Sequence, residues 1–120
     1  MKILVVEDSP TMRRIIKNTL KRIGYDEVEE AEDGVQALAT LGNTPIDFIV
    51  TDWNMPKMSG LDFIKRVKSN QEYKHVPILM VTTRSVEQDV LEAFEAGAAS
   101  YIVKPFTPDV LKEKMDSILK

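Results

Sequence analysis

Lys2-Ile3-Leu4-Val5-Val6-Glu7-Asp8 and Asp47-Phe48-Ile49-Val50-Thr51-Asp52 decide how this chain is read. Each is a short, largely β-branched run that ends in acid. Two further runs end differently: Ile78-Leu79-Met80-Val81 in Thr82-Thr83, and Tyr101-Ile102-Val103 in Lys104-Pro105. Apolar runs of this kind mark strands buried on both faces of a parallel sheet, and open α/β sheets carry their chemistry at the carboxyl ends of such strands. If the four lie side by side, Glu7, Asp8, Asp52, Thr82 and Lys104 share one crevice. Three carboxylates, a hydroxyl and an ammonium suit a divalent cation and a phosphoryl group.

Working outward, strand-like and helix-like segments alternate five times. Lys2–Val6 reads as the first strand. Ser9 is a good N-cap and Pro10 suits a first helical turn, after which Met12, Ile16, Leu20 and Ile23 recur at helical spacing up to Gly24. Asp26–Ala31 is a more polar strand, which predicts a place at the sheet edge. Gly34–Leu41 is a short helix closed by Gly42-Asn43, and Asp47–Asp52 is the central strand. Ser59–Ser69 is a helix with Leu61, Ile64 and Val67 inward; Pro77–Thr82 is a strand. Val86–Ala96 is a helix ended by Gly97, and Ser100–Lys104 is the last strand. Thr107 caps a final helix, with Pro108 at its first position and Leu111, Met115 and Ile118 on one face. Strict (βα)₅ alternation with short connections predicts an α/β fold, a five-stranded parallel sheet with helices on both faces. The flavodoxin-like strand order 2-1-3-4-5 is expected at this size, and it places the four chemically marked strand ends next to one another.

Composition bounds the function. At 120 residues one domain spanning 1–120 is expected, large enough for a single core. A net charge of −3 argues against a general nucleic-acid partner. Cysteine is absent, which removes disulfides and thiolate metal sites and is compatible with the cytoplasm. The apolar run after Met1-Lys2 is too short for a signal peptide or an anchor, so no membrane partner is expected.

Asp often follows a strand only to cap the next helix, so Glu7-Asp8 taken alone does not establish a site. Asp52 follows a wholly apolar strand and has no basic neighbour in Trp53-Asn54-Met55-Pro56. Carboxylates gathered there oppose one another's ionisation, and a hard divalent cation resolves the conflict. Mg²⁺ takes oxygen ligands and is held by one or two carboxylates plus phosphate oxygens. Asp8 and Asp52 are the expected direct ligands, with Glu7 acting directly or through water. Lys104 is the candidate counter-cation, set before a proline that can be cis and re-aim the backbone. The matching reaction is phosphoryl transfer onto Asp52 itself, with Thr82 and Lys104 holding the phosphoryl oxygens. No glycine-rich phosphate loop follows the first strand, and Glu7-Asp8 would repel a nucleotide or flavin phosphate there. His75, in a polar stretch, reads as a surface loop residue.

These residues resemble the receiver domain of two-component response regulators over essentially the whole chain. The pair Glu7-Asp8, Asp52 before Asn54-Met55-Pro56, Gly60, Thr82 and Lys104-Pro105-Phe106 stand in family order and spacing, and within the family the likeness is to single-domain chemotaxis regulators. The resemblance implies a signalling switch rather than a separate enzyme, one that catalyses only its own phosphorylation and dephosphorylation. It implies a histidine kinase of the chemotaxis type as donor to Asp52, and Mg²⁺ held also by the backbone carbonyl of Asn54. It further implies a monomer, a flagellar motor switch protein as output partner, and a phosphatase. Tyr101 is implied as the switch residue, filling space that Thr82 vacates, with the fourth helix, fifth strand and fifth helix as output face. Many family members have two aspartates where this chain has Glu7-Asp8. Thr83 stands where a smaller residue is common, and with Asn54 and Arg84 it flanks the path of attacking water, so these three are expected to set the phosphoryl lifetime.

Two other readings stay open. One is a single-domain phosphorelay carrier that passes phosphate to a histidine phosphotransfer protein. The other is a phosphoaspartyl hydrolase, disfavoured because Asn54 stands where such enzymes place a second aspartate. Arg13, Arg14, Lys17, Lys21 and Arg22 are expected on the outer side of the first helix, as a docking patch or as a solvated face.

Overall fold

The computed structural model describes all residues from Met1 to Lys120. Strands β1 (Ile3–Val6), β2 (Val28–Ala31), β3 (Phe48–Thr51), β4 (Ile78–Thr82) and β5 (Ser100–Val103) alternate with helices α1 (Pro10–Arg22), α2 (Gly34–Asn43), α3 (Gly60–Ser69), α4 (Glu87–Ala96) and α5 (Pro108–Leu119). Every pairing is parallel and the order is β2-β1-β3-β4-β5, with the polar second strand at an edge as its composition predicts.

The period-two alternation along each strand sorts side chains between two cores. Leu4, Val6, Ile49, Ile78 and Met80 face α2, α3 and α4, where Leu41, Phe63, Ile64, Val67 and Ala93 meet them. Ile3, Val5, Phe48, Val50, Leu79 and Val81 face α1 and α5, where Ile16, Leu20, Leu111 and Met115 close the second core. Because both faces are covered, the inner strands are buried along their whole length, and only their ends remain for chemistry.

Helix starts follow from local hydrogen bonding. Ser9, Asp33, Ser59 and Thr107 cap α1, α2, α3 and α5, their side chains accepting from the amides of Met12, Gln36, Asp62 and Val110. α4 starts after Val86, which supplies no side-chain cap. Strands are shorter than the apolar runs suggested: Asp47, Asp52 and Lys104 lie outside the strands. α2 runs on through Gly42-Asn43, which the sequence marks as its stop. Asn43 Nδ2 donates to the Ala39 carbonyl at 3.0 Å and the Thr44 amide to Thr40 at 2.9 Å, so the last turn's carbonyls find donors without ending the helix earlier.

α3 is pressed against the end of β3. The Gly60 amide donates to the Trp53 carbonyl at 2.7 Å, and a Cβ on Gly60 would stand 1.9 Å from the Asp52 carbonyl oxygen. No flexible side chain can yield there, because the opposing atom is backbone. Gly60→Ala is therefore expected to cost about 3 kcal/mol, the upper end of ordinary overpacking. Urea unfolding checks this, and a loss below about 0.5 kcal/mol, the ordinary surface range, would show that the approach is looser than the geometry requires.

Candidate functional site

Parallel register brings the acids together. Val6 is level with Thr51 on the neighbouring strand, so Glu7 and Asp52 leave the sheet side by side. The Asp52 amide still donates to the Val6 carbonyl at 3.0 Å, and the Glu7 amide to Ala31 at 3.0 Å. Glu7, Asp8 and Asp52 each offer an oxygen within 4.8 Å of the others. Glu7 is buried, Asp52 half-buried and Asp8 exposed.

Lys104 reaches into this cluster from the end of β5, past β4. Its Nζ lies 2.8 Å from Glu7 Oε1 and 3.4 Å from Asp52 Oδ2, and only 9% of its side chain is exposed. The Lys104–Pro105 peptide is cis. Glu7 Oε2 accepts from the Ser9 amide at 3.0 Å, so both oxygens of this carboxylate have protein donors. Burial pushes the Glu7 carboxyl above its ordinary value, outweighing the lysine and the Ser9 amide, with the Asp52 charge adding in the same direction. Asp52 Oδ1 accepts from the Trp53 amide at 2.7 Å. The Asp8 side chain is exposed and takes no protein hydrogen bond.

A second layer surrounds the acids. Thr82 is fully buried, and its Oγ1 accepts from the Arg84 amide at 3.3 Å. Arg84 gathers the loop residues: Nε and Nη2 donate to Asn54 Oδ1 at 3.3 and 3.1 Å, and Nη1 pairs with Asp89 Oδ2 at 3.2 Å. Its Cζ lies 4.8 Å from the centroid of the Trp53 ring, within cation–π range. The Tyr101 hydroxyl donates to the Arg84 carbonyl at 2.7 Å, with the ring buried. Burial, and then Asp89, raise the Tyr101 phenol above its ordinary value, which keeps the donor proton in place. Tyr101 sits inside, and the Thr82 hydroxyl accepts from the Arg84 amide. Thr83 is exposed beside this loop.

The structure also shows what sequence patterning missed. Arg13 is not on the outer side of α1: its guanidinium donates to the Glu7 carbonyl at 2.9 Å and to Glu30 at 3.3 Å. Lys17 pairs with the same Glu30 at 3.3 Å, while Arg14, Lys21 and Arg22 remain exposed. Lys57, in the left-handed region at φ 68°, pairs with buried Asp33 at 3.5 Å and ties the loop after Asp52 to the start of α2. Backbone carbonyls and long-range partners of arginine leave no periodic signal from which they could have been found. His75 is exposed in the loop between α3 and β4, away from the cluster.

The donor set is entirely oxygen, anionic and convergent, which fits a hard divalent cation. Residues 3–116 match the response regulator receiver domain. The chain belongs to that family. The receiver is 55% identical to chemotaxis protein CheY1 of Helicobacter pylori over 120 residues, covering 99% of this chain and 97% of that protein. Among solved structures, chemotaxis protein CheY4 of Vibrio cholerae superposes with a TM-score of 0.90 at 40% identity, covering 98% of this chain and 97% of that one. The receiver domain of a sensor histidine kinase from Pseudomonas aeruginosa superposes with a TM-score of 0.88 at 28% identity, covering 99% and 98% of the two chains. That structure carries a magnesium ion coordinated in its active site cleft. The receiver is thus of the type found in chemotaxis response regulators, a signalling switch with an acidic pocket of the kind at which receivers bind Mg²⁺.

The lysine's double role has a measurable consequence. Lys104→Met leaves a buried carboxylate without its cation, a change that costs about 3 kcal/mol in metal-free buffer. The same change removes a positive charge from the cluster, so Mg²⁺ is expected to bind several-fold more tightly than in the unsubstituted protein. Urea unfolding with and without Mg²⁺ reads both effects; equal Mg²⁺ affinity in the two proteins would show that the ammonium does not oppose the metal.

Proposed function

We propose that this receiver is a diffusible, single-domain response regulator, phosphorylated on Asp52 by a histidine kinase with Mg²⁺, that controls flagellar motor switching in chemotaxis. The observation that carries this reading is Lys104 Nζ set 3.4 Å from Asp52 Oδ2 and 2.8 Å from Glu7, beside convergent oxygen donors. It supplies an anionic nucleophile with a cation already at its side. Likeness to chemotaxis proteins over 97% and 92% of their lengths supports the pathway.

In this mechanism an Asp52 carboxylate oxygen attacks phosphorus in a phosphohistidine. The new O–P bond forms as the P–N bond breaks, and the histidine nitrogen keeps the electron pair and then takes a proton. Asp8, Asp52 and the Asn54 carbonyl would hold Mg²⁺, with Glu7 directly or through water. When bound, the metal neutralises charge on the phosphoryl oxygens. Lys104, with donors to spare, turns from the carboxylates toward a phosphoryl oxygen, and Thr82 offers its hydroxyl once it leaves the Arg84 amide. The Arg84 bridge to Asn54 pins the amide that stands two residues after the acceptor, and with Thr83 it restricts where water can approach.

The product places about −1.5 to −2 charge on a modified side chain near neutral pH. Arg84 and Tyr101 lie where that charge can be read, since both touch the loop between β4 and α4. The reading surface is α4, β5 and α5, where Val86, Leu91, Phe94, Val103 and Val110 are exposed. Solvent-facing apolar residues of this kind suit a protein partner, here the motor switch, and a phosphatase would act on the same crevice. A place in the cytoplasm is the reading that likeness to chemotaxis regulators supports; no helix is long and apolar enough to cross a membrane. Moving a two-state protein from mostly off to mostly on takes about 5.5 kcal/mol of differential stabilisation, so some resting activity is expected.

Incubation with Mg²⁺ and a small phosphodonor is expected to add one phosphoryl mass, absent in Asp52→Asn. Labelling that survives the substitution would defeat the assignment. Trp53 emission is expected to change on phosphorylation, and Arg84→Ala to shorten the phosphoryl lifetime several-fold by freeing Asn54. A pull-down comparing phosphorylated protein with Asp52→Asn distinguishes outputs: recovery of a motor switch protein supports the reading, and recovery of a histidine phosphotransfer protein overturns it in favour of a relay.

A further inference from the structure

Arg13 and Lys17 stand one helical turn apart on α1, and both reach Glu30 at the carboxyl end of β2: Arg13 Nε to Oε1 and Lys17 Nζ to Oε2, each at 3.3 Å. Only Arg13 goes further. Its Nη1 donates at 2.9 Å to the main-chain carbonyl of Glu7, and its side chain is 18% exposed against 48% for Lys17. That carbonyl belongs to the peptide joining Glu7 to Asp8, the two consecutive acids of the cluster. No main-chain amide donates to it.

With this bond, every polar atom of Glu7 is held. Its amide is on Ala31, its carboxylate on Ser9 and Lys104, and its carbonyl on Arg13. Asp8 is the opposite case, exposed and with no protein donor on its carboxylate. What aims Asp8 is therefore the plane of the peptide before it, and the side-chain group that fixes this plane is the Arg13 guanidinium. A planar fork suits the task, because one nitrogen can bond the carbonyl while another pairs with a carboxylate.

We propose that Arg13 is a positioning residue of the acidic site, with Glu30 as its charge partner: together they set the Glu7–Asp8 peptide so that Asp8 presents its oxygens to the metal. The inference rests on the reading of Glu7, Asp8 and Asp52 as a Mg²⁺ site. A cation beside a metal site opposes the metal by simple electrostatics, so an arginine that acted through charge alone would weaken Mg²⁺ binding, and its removal would tighten it. Positioning predicts the reverse. Glu30 removes much of the conflict by neutralising the guanidinium on the side away from the carbonyl.

The experiment is Mg²⁺ titration by calorimetry of the full chain and of Arg13→Gln, Arg13→Lys, Glu30→Gln and the Arg13→Gln/Glu30→Gln double variant. Arg13→Gln is expected to weaken Mg²⁺ about tenfold, the low end of what losing a group that orients a metal ligand costs. Arg13→Lys recovers part of this, since one ammonium reaches the carbonyl less well while paired with Glu30. Glu30→Gln weakens binding in the same direction, and the double variant is no worse than Arg13→Gln, because the two act as one unit. Phosphorylation from a small donor is expected to return to near the original rate at saturating Mg²⁺, which a general folding defect would not allow. Unchanged or tighter Mg²⁺ binding in Arg13→Gln, with the unsubstituted chain binding normally, overturns the inference while leaving the metal site intact. Absence of Mg²⁺ binding in the unsubstituted chain overturns the site and the inference together. If Arg13→Gln fails to fold, Glu30→Gln decides the matter: weaker binding supports the proposal, and unchanged binding overturns it.

Discussion

Mutual repulsion among Glu7, Asp8 and Asp52 is the constraint around which the upper end of this sheet is built. Three carboxylates with oxygens within 4.8 Å would take up protons or separate if nothing opposed them. The opposing charge comes from Lys104, which directly follows the edge strand β5 and reaches past β4 to the acids that follow β1 and β3. The far edge of the sheet is thus tethered electrostatically to its middle. Any change in the charge carried by Asp52 alters the pull on that tether, and β5 also carries Tyr101. The charge at Asp52 and the position of β5 are linked through one side chain.

Two arginines flank the acids in a common pattern. Arg13 on the α1 side holds a carbonyl oxygen of the acidic loop and is neutralised by Glu30. Arg84 on the α4 side holds the Asn54 amide oxygen and is neutralised by Asp89. In both cases a guanidinium grips a neutral oxygen near the site while a carboxylate outside the crevice balances its charge. The crevice keeps its negative character, which a divalent cation needs, yet its walls gain the directional bonding that only a fork-shaped donor supplies.

Strand order, most helix starts and the gathering of Glu7, Asp8 and Asp52 near Lys104 are legible in the amino-acid sequence, because strands and caps carry local signals. β-branched runs name buried strands, Ser9, Ser59 and Thr107 name helix starts, and the parallel topology does the gathering. What stayed hidden depends on partners remote in sequence or on the main chain. Helical spacing puts Arg13 outside the apolar stripe of Met12, Ile16 and Leu20, and nothing in that spacing says that a long side chain bends back to a carbonyl. The reach of Glu7 to Lys104 depends on the registers of β1 on β3, β3 on β4 and β4 on β5. Gly42-Asn43 looked like a helix stop because such pairs usually are; here the Asn43 side chain satisfied the preceding turn instead.

The bare start of α4 has a consequence for where this molecule can change shape. Four helices begin with a side chain that locks the first amides, and α4 begins with Val86, which locks none. Local opening is least expensive where the fewest bonds must break, so the first turn of α4 is the segment whose amides are expected to exchange with solvent soonest. Its side-chain restraint is the Arg84–Asp89 pair, an interaction that an arriving anion can weaken by drawing the guanidinium away. Through Asn54 and Arg84 the loop after Asp52 is joined to this uncapped turn of α4, which borders the exposed side chains of Val86, Leu91 and Phe94. A partner that grips Val86, Leu91 and Phe94 would meet a helix whose ordering entropy has yet to be spent, and binding there would feed back on the crevice by mass action.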